Sequence, residues 1–89
     1  MTNTNQCILI GEISSITKVK GKDIKFHLDI PDEKKINSPI ITVPELLAQS
    51  IGFLKTGIRV MVTAKITTEV RGGYGTVTQI LAQKITELE

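Results

Sequence analysis

Four lysines, Lys18, Lys20, Lys22 and Lys25, fall within eight residues of this 89-residue chain, diluted only by Asp23. Cations at that density can neutralise successive phosphates of a polyanion, although the same cluster also suits a solvated hairpin. Arg59, Lys65 and Arg71 add cations along a later segment, and His27 lies between Lys25 and Asp29. Tyr74 sits at a glycine-rich tip, where its ring could stack on a base. The other aromatics are Phe26 and Phe53, and there is no tryptophan. Since stacking contributes ~1–3 kcal/mol per base, one such platform leaves most of any affinity to phosphate neutralisation.

Catalysis is hard to build from the rest of the inventory. His27 is the only histidine and Cys7 the only thiol, on different segments with no motif between them, so no metal cluster and no nucleophile–base pair is suggested. Asp29, Asp32 and Glu33 lie in or beside a charged loop, which makes them solvated acids and not a tuned dyad. Gly72-Gly73-Tyr74-Gly75 lacks the Gly-Lys-Ser/Thr ending of a phosphate loop and joins strand to strand. The expectation is a binding protein with no catalytic residues, no metal and no cofactor.

The elements that must position these residues are legible from periodicity. Cys7 to Ile16 is β-branched and apolar, a long strand partly buried on both faces, and Gly11 within it marks a bend or bulge. A basic turn leads to the cleanest alternation in the chain, with Ile24, Phe26, Leu28 and Ile30 on one face and Asp23, Lys25, His27 and Asp29 on the other. Pro31 ends that strand, and Asp32 to Pro39 carries the turn chemistry of an exposed hairpin loop. Ile40 to Val43 is a third, short strand. From Pro44 the period becomes helical, through Leu46, Leu47, Ile51 and Leu54, with Lys55 near the C-terminal end and Gly57 closing the segment. Gly52 weakens that helix by about 1 kcal/mol, so it should be short and held by packing.

Alternation returns from Arg59 to Arg71, with Val60, Val62, Ala64, Ile66 and Val70 inward. Arg71 to Gly75 is a hairpin tip, and Thr76 to Leu88 is the last strand. Five strands with one short helix between the third and fourth is the order of the OB-fold, an all-β, five-stranded Greek-key barrel. One domain fills residues 1–89, with 1–5 read as a flexible N-terminus. So small a core favours oligomerisation, and the lone Cys7 reads as a small buried hydrophobe. Met1 to Gln6 is polar and uncharged, unlike a secretory signal, and no apolar run approaches the ~20 residues that span a bilayer. A soluble protein, intracellular or organellar and with no membrane partner, is predicted. The net charge of +2 permits a polyanionic partner without demanding one.

Leu47-Ala48-Gln49, Phe53-Leu54-Lys55-Thr56-Gly57, Val60-Met61-Val62 and Thr78-Gln79-Ile80-Leu81-Ala82 with Ile85 and Leu88 together resemble the bacterial and organellar single-stranded DNA-binding (SSB) proteins. Asn5-Gln6-Cys7-Ile8-Leu9-Ile10-Gly11 is similar to the opening segment of the same family. The resemblance covers nearly the whole chain through short, mostly structural matches. It implies an OB-fold that binds single-stranded DNA and pairs through its first strand into a homodimer or homotetramer. The family's base-stacking aromatics are missing from Ile40 to Pro44, and Phe26 belongs to the inward face. Because the sequence stops at Glu89, the resemblance narrows to tail-less relatives, the PriB type and the short SSB-like proteins of plastids and cyanobacteria. Heavy use of Ile, Lys and Thr fits a plastid or a low-GC bacterium, in cytoplasm or nucleoid.

Three readings stay open at this level. The first is non-sequence-specific single-stranded DNA binding in replication, recombination or repair, with possible replication proteins as further partners. Its contacts are Lys18, Lys20, Lys22, Lys25, His27, Arg59, Lys65, Arg71 and Tyr74. The second is an OB-fold scaffold making protein contacts, with weak or no nucleic-acid binding. The third is single-stranded RNA on the same barrel.

Overall fold

The long first strand has more inward positions than one neighbour can cover, so it is shared between two. In the computed structural model, which describes residues 5–18, 23–52, 54–73 and 75–88, β1 (Cys7–Thr17) pairs antiparallel with two different strands in turn. Its first half, Cys7 to Glu12, lies against β5 (Arg59–Arg71), and its second half, Glu12 to Thr17, lies against β2 (Ile24–Pro31). The handover occurs around Gly11. A Cβ on Gly11 would collide with the Asp29 carbonyl oxygen and come within 3.1 Å of the Leu28 side chain. The expected irregularity is therefore real, with the close approach at Gly11 and the bulge itself just beyond it, between Ile13 and Ser15. Backbone bonds from Gly57 to the Ile13 carbonyl (2.8 Å) and from Ile13 to the Ile58 carbonyl (2.9 Å) fasten the crossing point.

The remaining elements are β3 (Ile36–Asn37), β4 (Ile40–Val43), α1 (Glu45–Ser50) and β6 (Gly75–Leu88). Hydrogen-bonded neighbours run β1, β5, β6, β4, β2, and the β1–β2 pairing closes the sheet into a ring. β4 and β6 are parallel, through Ile41↔Ile80 and Thr42↔Leu81, and the other pairings are antiparallel. That closed order, with α1 between β4 and β5, is consistent with the expected OB-fold. Inside the ring Ile13, Phe26, Leu28, Ile41, Val43, Val60, Val62, Ala64, Ala82 and Ile85 form one buried cluster. Each large member contributes roughly 1.5–3 kcal/mol by leaving water.

Four local expectations change. The Asp32–Pro39 loop contains β3, which pairs Ile30↔Asn37 and Pro31↔Ile36 around a turn closed by Asp32 N–H on the Lys35 carbonyl (2.8 Å). The helix is only six residues long and stops at Ser50, where Ile51 turns extended, so Lys55 lies beyond it. Leu46 faces solvent at 83% exposure, while Leu47, Ala48, Ile51 and Leu54 pack on the core. On β5 the inward face is buried only as far as Ala64. Ile66 and Val70 are 48% and 82% exposed: β5 leaves β1 after Ala64, and beyond the Ile66↔Ile80 pair β5 and β6 continue as a two-stranded arm. A second bulge lies opposite Thr63/Ala64, where β5 parts from β1. Cys7 is half-buried against the core.

At the base of the arm the Asn5 side chain takes the place of a strand residue. Its Nδ2 donates to the Ile66 carbonyl at 2.7 Å and its Oδ1 accepts from the Ile66 N–H at 3.0 Å. This continues the β1–β5 ladder past Cys7↔Ala64.

Gly11→Ala is expected to lower stability by about 2 kcal/mol or more, since the new methyl meets backbone and buried side chain and cannot be relieved by a rotamer change. Gly52→Ala, where no atom lies within 4 Å of the added methyl, is expected to stay within about 0.5 kcal/mol of the parent. Thermal or urea unfolding of the two variants side by side measures the contrast.

Candidate nucleic-acid interface

Because Phe26 and Leu28 are committed to the core, strand alternation forces Lys25, His27 and Asp29 onto the outer face of β2. Their cross-strand partners then define three rows. The first runs Thr17, Lys25, Thr42, Leu81, Lys65 through successive pairings across β1, β2, β4, β6 and β5. At the usual spacing of neighbouring strands, Lys25 and Lys65 stand roughly 14 Å apart along this row. Lys25 is exposed and Lys65 half-buried. Lys18, exposed, follows Thr17 directly and extends the cationic end.

The second row is Ser15, His27, Ile40. The Ser15 hydroxyl lies 2.8 Å from His27 Nδ1, so the imidazole is held through that nitrogen and its Nε2 is the one left for a ligand. Ile40 beside it is half exposed at 51%. The third row is acidic, Glu12 beside Asp29, with the Ser38 hydroxyl donating to Asp29 Oδ1 at 2.6 Å.

Arg59 pairs with Glu12 and shares an open cleft with Glu12, Asp29, Ile10 and Ile36. The structure therefore directs Lys18, Lys25, His27 and Lys65 to the outer side of the sheet, with Thr42 buried between Lys25 and Lys65, and sets Arg59 apart, behind two carboxylates. Arg71 ends β5 opposite Gly75, six residues and roughly 20 Å of strand beyond Lys65. Lys20, Lys22 and Tyr74 lie outside the described residues.

Three features of this surface were not read from the sequence. Lys65 joins Lys25 only through the parallel β4–β6 pairing, which no local pattern announces. Ser15 meets His27 because the bulge shifts the β1 register by one residue, and simple alternation from Ile13 would have turned it inward. Ile40 was counted as a strand residue, and its outward direction follows once Ile41 and Val43 are known to be buried. Among the described residues no group of three or more His, Cys, Asp and Glu is placed to hold a metal ion. The described helix is not long and apolar enough to cross a membrane.

No family model and no curated protein sequence matches the chain. Solved structures do. The mitochondrial single-stranded DNA-binding protein Rim1 of S. cerevisiae superposes with a TM-score of 0.76 at 22% identity, covering 98% of this chain and 97% of Rim1. A second crystal form of Rim1 gives 0.71 at 19% identity, over 98% and 96% of the two chains. The Plasmodium falciparum SSB, solved in complex with single-stranded DNA, gives 0.66 at 19% identity, over 100% and 98%. At these identities the likeness establishes a shared fold over the full length of both chains.

Ser15→Ala is expected to release the His27 ring, visible as a changed Nδ1 shift in a long-range nitrogen–proton correlation spectrum. The exposed hydrogen bond carries little stability, so unfolding should shift by about 1 kcal/mol or less.

Proposed function

We propose that this chain is a non-sequence-specific binder of single-stranded DNA, acting by association and not by catalysis, in replication, recombination or repair. The observation that carries the reading is the row joining Lys25 to Lys65 across the outer face of a closed sheet. The same sheet is found in two proteins named for binding single-stranded DNA, one of them solved with that ligand. Lys18, Lys25 and Lys65 neutralise the backbone, and His27 offers one ring nitrogen to it. The acidic row of Glu12 and Asp29 repels a polyanion, so the strand is guided along the lysine row and away from Arg59. Lys20, Lys22, Arg71 and Tyr74 are further contacts in this reading, carried from the sequence. The structural likeness is to SSB proteins, and a PriB-like affiliation draws no support from these neighbours.

Assembly belongs to the same reading. Among the described residues β1 is paired from Cys7 to Ile10 with β5 on one side only, and Ile8 and Ile10 are 62% and 43% exposed beside that open edge. An open, apolar strand edge invites a second strand, and a two-fold pairing of β1 with its copy would satisfy it. A homodimer, or a tetramer of such dimers, follows.

Fluorescence anisotropy with oligo(dT) across ~50 to 200 mM salt tests the ligand. Affinity is expected to fall steeply, with a log–log slope of about 0.7 per phosphate neutralised, and Lys25→Ala or Lys65→Ala should each reduce that slope by up to about one unit. No saturable binding at low salt would leave the fold serving protein contacts instead. Stronger competition by oligo(U) than by oligo(dT) would make the ligand RNA. Light scattering tests assembly: a dimer or tetramer at micromolar concentration is expected, and Ile8→Lys should dissociate it, whereas a stable monomer of the parent rules out the β1 pairing.

A further inference from the structure

We infer that Ile40 is a base-contact position that selects thymine through its 5-methyl group, an inference resting on the single-stranded DNA reading. Ile40 has no evident packing reason to be apolar. Its neighbours Ile41 and Val43 build the core at 0% exposure, whereas Ile40 points the other way and is half exposed in the His27 row, between the lysine row and the acidic row. Its cross-strand partner is His27, whose ring Ser15 holds, and Lys25 lies one step further along β2. Directly opposed side chains stand ~5 Å apart at Cβ and diagonal ones ~7–8 Å. One nucleotide can therefore set its base on Ile40 while its phosphate meets Lys25.

The other exposed aliphatics lie elsewhere. Ile36 shares the cleft with Glu12 and Asp29, Leu46 is on α1, Ile8 and Ile10 flank the open edge of β1, and Ile66 and Val70 lie on the strand face of β5 opposite Lys65. Among the described residues, only Ile40 places an exposed aliphatic on the outer sheet face within diagonal reach of Lys25.

Among the described residues no aromatic ring stands on this face, since Phe26 is turned into the core. That matters for selectivity. An aromatic ring stacks on the π-face that every base has, and so is tolerant of sequence. An aliphatic side chain has no such face to offer, but it makes apolar contact with the thymine methyl, which uracil and cytosine lack. The surface as built thus trades general stacking for a preference among pyrimidines.

Oligo(dT) and oligo(dU) of equal length differ only in that methyl. Titrated against the full chain at ~50 mM salt, oligo(dT) is expected to bind about three- to fourfold more tightly, the factor that burial of one methyl-sized group supplies. Ile40→Ser should abolish the preference by weakening oligo(dT) more than oligo(dU). Ile40→Phe keeps an apolar group in place and supplies a ring, so both ligands should tighten by about fivefold or more while their ratio falls toward one. Equal binding of the two ligands by the parent chain overturns the inference. So does a preference that persists in either variant with its fold intact by circular dichroism. In each case binding itself would still stand. Absence of binding to both oligonucleotides would instead remove the DNA reading, and the role of Ile40 with it.

Discussion

β1 serves β5 with its first half and β2 with its second, and the ring closes only because one strand can reach both. The reach depends on Gly11, where the chain passes so near the Asp29 carbonyl that no side chain fits. Everything outside follows from this contact. The bulge after Ile13 is part of the same turn, and it sets the register that places Ser15 beside His27. It also leaves Cys7 to Ile10 with an unpaired edge, because β2 has already taken the other half of the strand. A steric requirement at one residue thus fixes both the outer face around His27 and the open edge of β1.

The charge layout is organised at a similar scale. Net charge is close to balanced, yet the outer sheet is divided, with lysines along one row and carboxylates along another two rows away. Adjacent strands carry these rows in register, so a displacement of four residues along β2, from Lys25 to Asp29, reverses the sign of the side-chain charge on that face. Close to neutral totals therefore say little about such a surface. What counts is which strand residues the closed sheet aligns.

Much of the fold was legible because its strands obey local rules. The Ile24–Ile30 alternation gave the inward and outward faces of β2 directly, and the Arg59–Arg71 bounds of β5 agree with the structure. The failures share a cause, which is that burial is a property of the tertiary environment. Ile66 and Val70 continue the apolar period of β5 but leave the ring, so the pattern persists without a core behind it. Leu46 fits a helical stripe that a six-residue helix never completes. Ile36 looked like a loop residue, and pairing with Pro31 makes it part of a ribbon. For the interface, the individual cations were legible as residue types, whereas their alignment depended on the parallel β4–β6 contact. Asn5 stood within the recognised opening segment, yet its task of completing a ladder is visible only when Ile66 is found beside it, 61 positions along the chain.

That parallel contact has a consequence for how the molecule comes into being. β4 and β6 are joined by α1 and the whole of β5, and the inner cluster needs Ala82 and Ile85 as well as Ile13 and Phe26. Contacts so distant in sequence are slow to find, because the intervening loop must be ordered before they reward it. A chain emerging from the ribosome can form the β1–β2 hairpin early, but its apolar faces remain uncovered until the last strand is released. During that interval the open β1 edge and the unpaired inner face of β5 are exposed together. The nascent protein is then most vulnerable to wrong partners, through the edge of β1 that stays open even when the ring is closed.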